Sequence, residues 1–189
     1  MIRLDRRTAV AAMAILAGAC AFAARQGDWT DAVEVRHDEN LCVSYQARLD
    51  GPYLVVRATL GSGWHTFAMD NKTRAEKALG GKRSLGIDHP TEIVLSGGLE
   101  AVGPWYQTPP KDFSRPELRW FSWGFEQQAL FVTRVRRPGA GPARMVVRGQ
   151  ACTETTCKNI DVAMPLPVPE SNTDSDRSEI NLKSLTPVQ

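Results

Sequence analysis

The stretch "LCVSYQARLD" from Leu41 to Asp50, followed by Gly51-Pro52 and "YLVVRATL" from Tyr53 to Leu60, decides the fold class. Its first half alternates. Cys42, Ser44, Gln46 and Arg48 take one side of a pleat, and Leu41, Val43, Tyr45, Ala47 and Leu49 take the other. Gly51-Pro52 breaks the run as a hairpin turn does. The second half is a further strand, ended by Gly61-Ser62-Gly63. Two adjacent strands joined by a tight turn predict an antiparallel pair.

The same pattern recurs outward from this hairpin. "TEIVLS" (Thr91–Ser96), "ALFVTRV" (Ala129–Val135), "ARMVVRG" (Ala143–Gly149) and "NIDVAMPLPV" (Asn159–Val168) read as four more strands. Gly97-Gly98, Pro109-Pro110 and the Pro138–Pro142 cluster punctuate them. Only "NKTRAEKALGG" (Asn71–Gly81) reads as a helix, short and ended by glycine. No 3.6-residue period runs for any useful length, and no repeat of fixed period is visible. The expectation is one all-β domain, an antiparallel β-sandwich over residues 29–169 with a short helical insertion.

The segment from Gly97 to Gln128 has little regular pattern and is rich in aromatics: Trp105, Tyr106, Phe113, Trp120, Phe121, Trp123 and Phe125. A structureless loop of that length is uncommon unless it has a task. Two readings stand. The aromatics plug one open end of the sandwich, or they form a lid or a partner-binding surface.

The ends of the chain speak to compartment. Arg3, Arg6 and Arg7 precede an apolar and small-residue run from Ala9 to Ala24, the build of a secretory signal peptide over residues 1–24. The run is shorter than the ~20 residues a membrane span needs. Ala21-Phe22-Ala23 offers small residues for cleavage near Ala23 or Ala24. Arg6-Arg7 also fits a twin-arginine export signal. "LAGAC" ending at Cys20 resembles a lipoprotein box, in which that cysteine would be lipidated. The expected location is periplasmic or secreted.

The chain has 23 basic and 21 acidic residues, and residues 1–24 hold three Arg and one Asp. What remains carries 20 of each, a net charge of zero. That balance offers no basic patch for nucleic acid or a membrane surface. From Glu170 the chain turns polar and loses its periodicity, so residues 170–189 are expected to form a disordered tail.

With Cys20 assigned to the leader, the domain holds Cys42, Cys152 and Cys157. An odd count leaves at least one thiol unpaired or paired to another molecule. Cys42 lies in a strand and reads as a buried or half-buried residue. Cys152 and Cys157 are the natural pair in "RGQACTETTCKN". Five extended residues span ~17 Å, and a bridge needs Cα atoms within ~7 Å. The chain must therefore turn between them, and "TETT" supplies that turn at a hairpin end if Ala143–Gly149 and Asn159–Val168 are adjacent strands.

As a staple, a five-residue closure constrains the unfolded chain least. Exchange chemistry needs a thiolate, access and a resolving thiol. The motif supplies the resolving thiol. Lys158 would favour a thiolate at Cys157, and Glu154 would oppose it. A metal clip needs further ligands, and His37, His65 and His89 lie at no short ligand spacing. Redox, structural and metal readings all remain open on these residues. His65 beside Trp64 reads as packing at a strand end, with a role near the cysteines if that end is shared.

Four motifs in order extend the argument: "LGSGWHTF" (Leu60–Phe67), "DHPTEIVLSGGLEAVGPWYQTPPKDF" (Asp88–Phe113), "WGFEQQALFVTRV" (Trp123–Val135) and "QACTETTCKNIDVAMPLPV" (Gln150–Val168). Together they resemble the N-terminal periplasmic domain of the thiol:disulfide interchange protein DsbD, over roughly Val33 to Val168. The resemblance implies an immunoglobulin-like sandwich. It also implies a reachable pair, Cys152 and Cys157, that takes electrons from a membrane thiol reductase and passes them to periplasmic thioredoxin-fold proteins, with no organic cofactor. A cap loop covers the pair in that family, and its counterpart here falls within Phe113–Phe125. Lys158-Asn159 stand where the family often has proline, and Cys42 is an added thiol. The family's membrane-embedded and thioredoxin-like parts have no counterpart in these residues. The rival expectation is a non-catalytic binding module with an inert bridge.

Overall fold

The computed structural model describes residues 28–82, 84, 89–138, 141–166 and 178–189. The expected leader at 1–24, with Cys20, lies outside them, as do residues 167–177. The strands in chain order are β1 (Val33–His37), β2 (Asn40–Asp50), β3 (Tyr53–Leu60), β4 (His65–Phe67), β5 (Glu92–Gly97) and β6 (Glu100–Gln107). After them come β7 (Lys111–Asp112), β8 (Trp123–Glu126), β9 (Gln128–Arg136), β10 (Ala143–Cys152), β11 (Cys157–Leu166) and β12 (Thr186–Pro187). One helix, α1 (Asn71–Ala78), and two single 3-10 turns complete the described elements.

Two sheets form. One has the order β1-β2-β3-β9-β6-β12, the other β11-β10-β4-β8-β7, with β5 also on β10. All pairings are antiparallel. The architecture is the expected all-β, immunoglobulin-like antiparallel sandwich. The hairpin that decided the reading closes as anticipated, with Asp50 opposite Tyr53 across Gly51-Pro52.

The core lies between the two sheets and explains the alternation. Val43, Tyr45 and Ala47 of β2, Leu54 and Val56 of β3 and Phe131 of β9 are buried from one side. Phe125, Met145, Val147 and Met164 meet them from the other. Phe125 sits edge-on to Phe131, with ring centroids 5.5 Å apart and planes at 87°. Such T-shaped pairs add about 0.5–1.5 kcal/mol beyond their buried area.

Cys42 breaks the alternation, because it is buried although its neighbours Ser44 and Gln46 on the same side are not. The cause is a β-bulge. Val35 pairs with Val43 and Arg36 with Leu41, which leaves Cys42 without a partner on β1. An inserted residue resets the parity of the strand, and Cys42 turns inward beside Val43.

Two expectations need correction. The segment 97–128 is not structureless. It holds β6, β7, a 3-10 turn at Pro116–Leu118 and β8. β6 escaped notice because half of it is exposed and its pairing to β9 is irregular between Ala101 and Trp105. The tail is not disordered over 178–189. β12 pairs with β6, and the Val188 N–H donates to the Trp105 carbonyl at 2.9 Å.

The tail also reaches the buried Asp70, which precedes α1. Asp70 Oδ1 accepts from Arg74 Nε at 2.8 Å and Gln107 Nε2 at 2.7 Å, and Oδ2 accepts from the Gln189 N–H at 3.2 Å. Burial works against ionisation of this carboxyl. The hydrogen bonds from Arg74, Gln107 and Gln189, with the Arg74 charge, outweigh it and hold the group below the usual carboxylate range.

Strand β10 is the spine of the second sheet. Residues 143–148 pair with β5 and residues 151–152 with β4. Gly149 stands at the change of partner, with φ of 147°. A Cβ there would lie 3.1 Å from the Pro90 carbonyl oxygen, so the backbone of the next segment can approach only because no side chain intervenes.

Candidate functional site

Cys152 ends β10 and Cys157 begins β11, and the two are paired in register. They form a disulfide with Cα atoms 4.0 Å apart. The hairpin turn "TETT" brings them together. The Thr153 N–H donates to the Thr156 carbonyl at 2.8 Å, and the Thr156 N–H donates to Thr153 Oγ1 at 3.1 Å. The bond between Thr153 and Thr156 puts Cys152 and Cys157 on the close, non-hydrogen-bonded type of cross-strand pair. Access is unequal. Cys152 is 4% exposed, whereas Cys157 is an exposed residue. The hairpin tip is thus only half as open as the sequence suggested.

The cover comes from the hairpin β7–β8. Phe113 N–H donates to the Ser122 carbonyl at 2.8 Å. Beyond it Arg115 and Trp120 pair through two backbone bonds of 2.7 and 3.1 Å, closed by the turn at Pro116–Leu118. At its base Lys111 Nζ meets Glu126 Oε2 at 2.6 Å. This arch and the cysteine hairpin enclose a cavity of about 420 Å³, lined among others by His65, Phe113, Arg115, Trp120, Cys152 and Cys157. The aromatics of the segment fall in different places. Trp105 lies in another shallow groove with His89 and Val188, whereas Phe113 and Trp120 stand over the disulfide.

His65 occupies the floor. It is the cross-strand partner of Cys152 on β10 and of Glu126 on β8. Its ring lies 5.1 Å from Phe113 and 5.4 Å, edge-on, from Phe67. Burial lowers the imidazole's proton affinity, and the Glu126 charge partly restores it. Sequence reasoning placed His65 at a strand end, and that end is the one the cysteines share. Glu126 was not singled out as a site residue, because its approach depends on strand register rather than on spacing.

The other candidates lie apart from this arrangement. His37 packs edge-on to Trp64, with centroids 6.1 Å apart. Lys158 bears on Cys42: burial pushes that thiol up, and the Lys158 charge and a backbone hydrogen bond from His37 offset this in part. Cys42 is a buried free thiol. Among the described residues no group of three or more His, Cys, Asp or Glu side chains comes together as a metal site. No helix among them is long and apolar enough to cross a membrane.

No family model matches the chain, and no curated protein sequence matches it. Solved structures similar to it include the following two. The reduced N-terminal domain of DsbD from Neisseria meningitidis is 11% identical, with 66% of this chain covering 83% of that one at a TM-score of 0.45. The GAE domain of GGA2p from Saccharomyces cerevisiae is 8% identical, with 72% of this chain covering 97% of that one at a TM-score of 0.37.

Proposed function

We propose that this chain is an extracytoplasmic thiol:disulfide exchange domain that relays electrons through Cys152 and Cys157. The observation that carries the reading is the unequal burial of a disulfide at a covered hairpin tip. One sulfur is presented to a partner and the other is held back under the arch. A bridge between neighbouring strands of an already paired hairpin adds little stability, which favours exchange over stapling.

Access sets the order of events. In the reduced domain the Cys157 thiolate attacks a partner's disulfide, and the partner's first sulfur leaves as a thiolate. Cys152 then attacks Cys157 Sγ, the mixed bond breaks, and the partner's second sulfur departs. Two electrons pass to the partner, and the domain is left as the Cys152–Cys157 disulfide. The reverse sequence recharges it from a dithiol donor. Thioredoxin-fold proteins suit the acceptor role and a membrane thiol reductase the donor role. No organic cofactor takes part. A periplasmic or secreted location fits, because disulfides persist in oxidising compartments.

The test is the reduction potential of the pair in the mature domain with Cys42→Ser, read by thiol alkylation and mass spectrometry across a glutathione series. A value above about −300 mV lies within reach of thioredoxin-like partners and supports the relay. A value well below that removes it and leaves a binding module with a structural disulfide.

A further inference from the structure

Four side chains form one row across the second sheet. Cys157 is opposite Cys152, Cys152 is opposite His65, and His65 is opposite Glu126. Residues directly opposite one another project from the same face with Cβ atoms about 4.5–5.5 Å apart. All four line the same cavity beneath the arch. The row therefore runs from the exposed sulfur, through the buried one, to an imidazole and then a carboxylate.

We propose that His65 is the proton acceptor for the buried thiol of Cys152 in the resolving step, with Glu126 holding the imidazole on its far side. The inference rests on the exchange reading above. In the mixed disulfide, Cys152 is a protonated thiol under cover, where a bare thiolate is disfavoured by burial. The neighbouring imidazole takes its proton as Cys152 Sγ bonds to Cys157 Sγ, and the partner's sulfur leaves with the electron pair. The proton then passes from the imidazolium to the departing thiolate or to water. In the recharging direction the imidazolium returns a proton to Cys152 as the disulfide opens.

The surroundings suit this role. The charged groups sharing the cavity are Glu126 from β8, Arg115 from the arch and Glu154 from the hairpin turn, and Lys111 of β7 is held on Glu126. From β10 the row offers only Cys152. Burial lowers the imidazole's proton affinity and so favours the neutral form, the one that can accept a proton. Phe113 and Phe67 fix the ring from two sides.

The experiment follows the reduced mature chain with glutathione disulfide between pH 5 and 9. Acid-quenched samples are analysed by mass spectrometry for the adduct on Cys157 and its resolution. An unassisted thiol with a pKa near 8.5 is only about 3% ionised at pH 7. His65→Gln should then slow resolution at pH 7 by roughly ten- to thirty-fold and move the rising limb of the rate up toward that thiol range. Formation of the Cys157 adduct should be unchanged. Glu126→Gln should move the limb the other way, because loss of the carboxylate weakens the imidazole as a base. These opposite shifts are not what a merely destabilised sheet produces. Resolution in His65→Gln with the wild-type pH profile would overturn the role of His65 alone. Wild-type protein that stays reduced, with neither adduct nor Cys152–Cys157 disulfide formed, would overturn the relay and this inference with it.

Discussion

Replacing Asp70 by Asn tests the docking of the C-terminal segment. Asp70 is fully buried at its side chain and Arg74 is 18% exposed, so solvent screens the pair little. The two carboxylate oxygens face three donors: Arg74 Nε, Gln107 Nε2 and the Gln189 N–H. Asn offers one acceptor oxygen and a donating amide, so at least one donor must face another. Breaking one side of a buried pair costs about 3–5 kcal/mol. At 2–4 °C per kcal/mol for a domain of this size, the melting temperature should fall by roughly 10 °C.

The sign of the pH dependence is fixed by the depressed carboxyl. Its stabilisation is present above the unfolded carboxylate range near pH 4 and is lost as pH falls through its lower folded value. Below that value the protonated Asp70 resembles Asn. Urea melts of both proteins from pH 3 to 7 should therefore differ most at pH 7 and converge in acid. A difference under about 1 kcal/mol at pH 7, or one that does not vary with pH, would refute the reasoning.

Three further outcomes are expected. Cys152→Ser, which leaves the exposed Cys157, should be alkylated by iodoacetamide roughly ten-fold faster than Cys157→Ser. Equal rates would cancel the assignment of the attacking sulfur. Phe113→Ala should destabilise the domain by about 1–2 kcal/mol, as a half-buried ring does, and should speed reduction of the disulfide by dithiothreitol. An unchanged reduction rate would show that the arch does not shield the pair. Gly124→Ala should cost about 3 kcal/mol in urea denaturation, because a Cβ would lie 2.1 Å from the Thr66 carbonyl oxygen. A neutral substitution there would mean that β4 and β8 can part without loss.

Strands β2, β3, β5, β9, β10 and β11 were legible because each is long enough to alternate against a buried face. β4, β7 and β12 are two or three residues long, too short for any period to show. β6 contains Gly103-Pro104 and has a single buried residue, Gln107, so neither composition nor alternation marked it. The order in 178–189 rests on backbone hydrogen bonds and on Asp70, which polar composition does not reveal. The cysteine pair was visible from its spacing, and the cover was anticipated within Phe113–Phe125. The row through His65 and Glu126 was not visible, because it joins positions 65, 126, 152 and 157 through the pairing of four strands.

The inward turn of Cys42 bears on how the chain becomes oxidised while it folds. In an unfolded chain Cys152 meets Cys157 across five residues but meets Cys42 across 110. Encounter falls as about the 3/2 power of separation, so the local partner is favoured roughly hundred-fold. The hairpin that unites the local pair needs no other strand, and the bulge that hides Cys42 forms only as β1 pairs with β2. Correct pairing is thus selected first by sequence distance, and afterwards the closing sandwich seals the third thiol away from the disulfide at its rim.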